Sequence, residues 1–291
     1  MGNSRTRIAL LVLLGVLMCA VGALVVRSFL GQDGSASSVT STDEEVMQVA
    51  SSQGADASSA GADSQLNGNP ETESEFVRAV REGEYRTIRL VGDSITAGFG
   101  ADGFENPDLA ASGAVIYDDG AGTVHYEPAP SIECWANAFR AWATEQGAQG
   151  FVNAGICGWF MHDLARDPNA WLGEGADVIV VALGTNDAGY YGPQVFADDA
   201  RAALAAAERV SKLVVVIAPV ADLRPHEMLV EPAAELGDIL QGICDERGYV
   251  FVDPRDAVMP QMFCDDGLHP TSEGSLAIWQ CIRTTLGLDV R

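Results

Sequence analysis

Lysine is almost missing from this chain. Lys212 is the only one in 291 residues, and 17 basic against 41 acidic side chains leave a formal net charge of −24. A surface of that sign repels phosphate backbones, which argues against a nucleic-acid partner. Cysteine is sparse too: there are six, with no Cys-x-x-Cys pair and no Cys/His cluster at zinc spacing, so no metal site is expected. One of the six, Cys19, sits in an apolar run. The other five, Cys134, Cys157, Cys244, Cys264 and Cys281, are an odd set that allows at most two bridges within one chain. No internal repeat is present. What the chain does have is 47% hydrophobic residues, enough to bury a substantial core.

The N-terminus carries the one long apolar run. Arg5 and Arg7 precede an uncharged stretch from Ile8 to Val26, and Arg27 closes it. As a helix at about 1.5 Å per residue it would span about 28 Å, close to the hydrocarbon thickness of a bilayer. A cleaved signal has a shorter core and a small-residue site close behind, whereas Gly34-Ser35-Ala36 lies well beyond Val26. Residues 1–30 are therefore read as a membrane anchor in preference to a cleaved signal. The more basic flank precedes the run, which puts the bulk of the chain outside the cytoplasm. Residues 31–83, rich in Ser, Ala, Gly, Asp and Glu, read as a flexible spacer, with a short helix expected over Glu71 to Arg81.

The folded domain is assigned to 84–291, beginning near Tyr85. Apolar strand-like runs occur at Ile88 to Val91, Phe151-Val152, Val178 to Leu183, Leu213 to Val220 and Tyr249 to Val252. Helical stretches alternate with them at Ile132 to Gln146, Gln194 to Val210, Pro232 to Arg247 and Thr271 to Leu286. Five such alternations argue for a parallel sheet covered by helices on both faces, a three-layer α/β/α fold. One piece breaks the pattern. Residues 101–131 form an insertion in which Ala114 to Tyr117 and Thr123 to Glu127 flank Asp118-Asp119-Gly120-Ala121-Gly122, a hairpin signature that would make a lid, a wall or a surface decoration.

Four short blocks follow strand ends, where sites assemble in open α/β sheets. They are Gly92-Asp93-Ser94, Asn153-Ala154-Gly155-Ile156-Cys157-Gly158, Gly184-Thr185-Asn186-Asp187 and Asp265-Asp266-Gly267-Leu268-His269-Pro270. Taken singly each has a structural reading: Ser94 as a helix cap, Asn186 and Asp187 as turn residues, Asp265 or Asp266 as caps. In this order, over Thr87 to Leu286, they resemble the SGNH (GDSL) hydrolase family of esterases, lipases and carbohydrate deacetylases. The resemblance implies a flavodoxin-like sheet of five parallel strands, Ser94 as nucleophile, His269 as general base and Asp266 as its carboxylate. It implies oxyanion donors at the backbone N–H of Ser94, the backbone N–H of Gly158 and the side-chain amide of Asn186, with no cofactor.

Chemistry asks for these residue types independently. A serine hydroxyl needs an imidazole to take its proton, and that imidazole needs a carboxylate to fix its tautomer. Asp265 competes with Asp266, but the three-residue spacing to His269 favours Asp266. His226 stays open as a substitute base, while His125 and His162 lie away from the blocks. Cys157 is set aside as a nucleophile because no His/Asp pair lies near it; a bridge or a small buried side chain suits it better. Trp135, Trp159, Phe160 and Trp171 are either core or a sugar-stacking surface. The expected function is an extracytoplasmic serine esterase acting on O-acyl, short-chain or acetyl esters of glycans or small molecules. A lipase, lysophospholipase or acyltransferase of the same family, or a glycan-binding module without catalysis, are the alternatives.

Overall fold

The computed structural model describes residues 73–104, 114–220 and 223–289. The Ile8 to Val26 run lies outside those residues, as does the spacer up to 72. Among the described residues no helix is long and apolar enough to cross a membrane.

Five parallel strands make the central sheet: β1 (Thr87–Gly92), β4 (Gly150–Gly155), β5 (Val178–Ala182), β6 (Leu213–Ile217) and β7 (Val250–Val252), in spatial order β4-β1-β5-β6-β7. Counting these strands alone, the order is 2-1-3-4-5, the flavodoxin-like winding, and it reverses between β1 and β5. Their apolar runs are continuous because both faces are covered. Leu90, Val178, Val180, Val215 and Ile217 point into one core; Val91, Ile179, Val181, Val214 and Val216 point into the other. The first core is closed by helices α1 (Glu75–Arg81), α3 (Trp135–Glu145) and α8 (Ser272–Leu286). The second is closed by α4 (Met161–Arg166), α5 (Pro168–Leu172), α6 (Pro193–Arg209) and α7 (Ala233–Arg247). The remaining helix, α2 (Ser94–Ala97), is a single turn at the end of β1.

Two expectations change. Residues 73–83, counted above with the spacer, belong to the folded unit: Ser74 caps α1, and Phe76, Val77 and Val80 are buried, with Phe76 against the rings of Tyr85, Phe139 and Trp142. The stretch after β4 contains two helices that were not expected, each too short to show a helical period. Cys134, Cys244, Cys264 and Cys281 are unbridged; Cys244 lies in the core opposite the one holding Cys134, so the sheet separates them.

The insertion does contain a hairpin, β2 (Val115–Asp118) with β3 (Val124–Tyr126). It is docked rather than loose: Ile116 and Tyr117 are buried in the second core. Arg89, an unexpected charge within β1, explains how. Its guanidinium donates to the Ile116 carbonyl at 2.6 Å and to the Trp171 carbonyl at 2.6 and 2.9 Å. The strand thus ties the hairpin to the end of α5.

Candidate active site

Ser94 sits where β1 hands over to α2. Asp93 caps that turn, its carboxylate accepting the Ile95 N–H at 2.9 Å, and Gly98 ends it at φ 92°. The turn lies hard against β4. A Cβ on Gly92 would stand 2.0 Å from Thr96 Oγ1, and one on Gly155 would stand 2.5 Å from the Ala97 backbone nitrogen. Glycine at both positions is therefore a packing requirement, and it holds the serine at the sheet edge.

Three of the predicted residues are connected in series. Ser94 Oγ is 2.8 Å from His269 Nε2, although 175 positions separate them. His269 Nδ1 is 2.7 Å from Asp266 Oδ2. Asp266 Oδ1 also accepts the backbone N–H groups of Leu268 and His269 at 2.9 and 3.0 Å. Burial is the largest influence on the Asp266 carboxyl and raises its pKa. The hydrogen bonds from His269 and the backbone overcome it and bring the value to about 2. Asp266 is therefore the carboxylate that meets His269. The opposite face of His269 is closed by Phe99, ring centroids 4.2 Å apart. Gly100 makes that approach possible, because a Cβ there would stand 3.1 Å from His269 Cβ and 2.7 Å from the Pro270 carbonyl oxygen.

Gly158 follows β4 with φ 79°, and a Cβ built on it would meet nothing within 4 Å, so open space lies above its backbone. The Asn186 amide donates one N–H to the Trp159 carbonyl at 2.8 Å, which fixes the way it faces and leaves a second N–H. Asp187, beside it, was expected only as a turn residue. It is fully buried, and accepts the Met161 N–H at 3.0 Å. Burial pushes its pKa up to about 7, and burial likewise pushes Asp93 up to about 6.

The other candidates fall elsewhere. Trp135 and Trp171 are core, whereas Trp159 and Phe160 are half-buried near Gly158. His162 pairs with Asp199 at 2.9 Å, and His125 stands on the hairpin against Tyr117 and Trp159. The side chain of His226 lies outside the described residues. Cys157 is half-buried. Among the described residues no group of three His, Cys, Asp or Glu side chains could hold a metal ion. Sequence reading did not single out Phe99, Asp163 or the Trp159 carbonyl. Only adjacency to the blocks marked them.

The sequence profile of the GDSL-like Lipase/Acylhydrolase family matches residues 90–277. Among solved structures the fold is similar to an acetylxylan esterase from Geobacillus stearothermophilus, at 17% identity and TM-score 0.53, covering 71% of this chain and 96% of that one. It is also similar to an alpha/beta hydrolase enzyme from the metagenome of Lake Arreo, Spain, at 18% identity and TM-score 0.53, covering 70% of this chain and 95% of that one. No curated protein matches.

Proposed function

This chain belongs to the GDSL-like lipase/acylhydrolase family, and on that footing we propose that it is a serine esterase working outside the cytoplasm, held to the membrane by the Ile8 to Val26 segment. The observation that carries the reading is the unbroken line from Ser94 Oγ through His269 to Asp266, at 2.8 and 2.7 Å.

In this reading His269 Nε2 takes the Ser94 proton as Oγ attacks the ester carbonyl. Asp266 accepts from Nδ1–H, which holds the tautomer that leaves Nε2 free and stabilises the imidazolium. Negative charge on the carbonyl oxygen is met by the Ser94 and Gly158 N–H groups and the second N–H of Asn186. A lost donor of this kind typically costs about 10²–10³ in kcat. His269 then returns the proton to the leaving alcohol, activates water, and the acyl-enzyme is hydrolysed. Every step uses the chain's own groups and water.

O-acyl groups on envelope or environmental glycans are the substrate class we favour. Support comes from the expected surface location and from the likeness in fold to an acetylxylan esterase. The test is hydrolysis of p-nitrophenyl acetate and of acetylated glycans by the full-length protein beside Ser94→Ala. Activity in the variant equal to wild type on every acyl ester would overturn the reading. So would an organophosphonate that labels Cys157 or no residue in place of Ser94.

A further inference from the structure

We propose that the β2–β3 hairpin is a positioning element for the Asn186 amide, acting through Trp159. The inference rests on the reading of Asn186 as an oxyanion donor.

An asparagine amide turns about its terminal torsion with little resistance, so a donor of this kind works only if something holds it. Here the holder is the carbonyl of Trp159 at 2.8 Å. The peptide that bears this carbonyl is itself secured on its other side, since the Phe160 N–H donates to Asp163 Oδ2 at 2.9 Å. A second tie runs the opposite way, from the Met161 N–H to Asp187 at 3.0 Å. The segment 159–161 and the turn 186–187 are thus cross-linked by two hydrogen bonds of opposite sense.

Beside these backbone bonds and the Trp159 N–H donated to the Ile156 carbonyl at 3.3 Å, residue 159 is held by its indole. Tyr117 meets it edge-on at 4.5 Å, His125 at 5.2 Å and Trp171 at 5.0 Å, each with rings nearly perpendicular. Trp171 is a core residue whose indole N–H donates to the Ala154 carbonyl at 2.9 Å. The other two rings come from the hairpin. Its own position is set by the Arg89 bond to the Ile116 carbonyl and by Tyr117 Oη, 3.3 Å from Asp167 Oδ2. A continuous series of contacts therefore runs from the insertion to the amide. Withdrawing the hairpin rings leaves the indole held on one side only, and the Trp159 carbonyl then has room to move. Misplacement of a catalytic group by about 1 Å can cost on the order of 100-fold in rate.

The test is a kinetic cycle on the full-length protein with p-nitrophenyl acetate: wild type, Tyr117→Leu/His125→Ala, Asn186→Ala, and all three substitutions together. We expect the hairpin variant to lose about tenfold in kcat with KM within about twofold, and to add less than about twofold when Asn186 is already Ala. A merely structural hairpin would lower activity equally in both backgrounds, and that result, or an unchanged kcat, overturns the inference while Asn186→Ala is still impaired. Should Asn186→Ala itself keep wild-type kcat, the oxyanion assignment falls and the inference falls with it. His125→Ala alone, at a half-buried site, carries the same comparison with an expected loss of about threefold if the hairpin double variant does not fold.

Discussion

Replacing Asp187 by Asn should make the protein more stable, and increasingly so as the pH rises. The side chain has no solvent exposure; one oxygen takes the Met161 N–H, and the other has no partner among the described residues. Burial dominates, and with the nearby Asp93 and Asp163 carboxyls it outweighs the hydrogen bonds and lifts the pKa from 3.8 to about 7. In the unfolded chain the same group ionises near pH 4. Between pH 4 and pH 7 the native state therefore holds a proton that the unfolded state has released, and each step upward in pH favours unfolding. The contribution of the protonated acid is complete below the unfolded pKa and is lost as pH rises through the folded one. A gap of about three pH units at about 1.4 kcal/mol each amounts to about 4 kcal/mol. Asparagine copies the protonated acid, keeps an oxygen for the Met161 N–H, and cannot ionise. Urea unfolding of Asp187→Asn and wild type at several pH values should give a difference near zero at about pH 4, growing by about 1.4 kcal/mol per unit and levelling near 4 kcal/mol above pH 7. Asp93, lifted to about 6 by burial, titrates in both proteins and to first order leaves the difference alone. A stability difference that does not change with pH would refute the reasoning.

Other perturbations reach the site directly. Asp266→Asn preserves size but offers an amide where His269 Nδ1–H needs an acceptor, so kcat should fall by about 10³–10⁴ with KM little changed, measured on a chromogenic acetate. Gly155→Ala drives a Cβ to 2.5 Å from the Ala97 nitrogen; it should cost about 1–3 kcal/mol in urea unfolding and lower kcat by displacing Ser94. Arg89→Met removes the donor to the Ile116 and Trp171 carbonyls. A loss of about 2–3 kcal/mol is expected in denaturation, with the hairpin becoming a preferred site of proteolytic cleavage.

How much of this could be read beforehand depended on what each residue answers to. The β1, β5 and β6 strands and the helices α3, α6, α7 and α8 were visible because long apolar runs and helical spacing are one-dimensional signals. Ser94, Asn186, Asp266 and His269 were visible because the chemistry admits few substitutes for them. The purpose of Arg89 within the β1 run is not legible locally, since its two carbonyl partners lie 27 and 82 positions away. The short helices α4 and α5 cover 6 and 5 residues, less than two turns each, and leave no period to detect. Asp187 looked like a turn residue, and its local sequence is that of a turn. Only the packing of Met161 above it shows that its carboxyl is shut away from water.

The distance along the chain between Ser94 and His269 has a bearing on biogenesis. In the proposed mechanism the nucleophile, Ser94, follows β1 and the base, His269, comes after β7. A growing polypeptide thus lays down Ser94, Gly158 and Asn186 before His269 is made. The loop 264–270 runs straight into α8, which is tied to α3 by Ser275 Oγ accepting the Trp135 N–H at 2.8 Å. On the proposed mechanism, nascent or truncated chains that lack His269 are expected to be inactive, so that esterase activity would report on completed molecules.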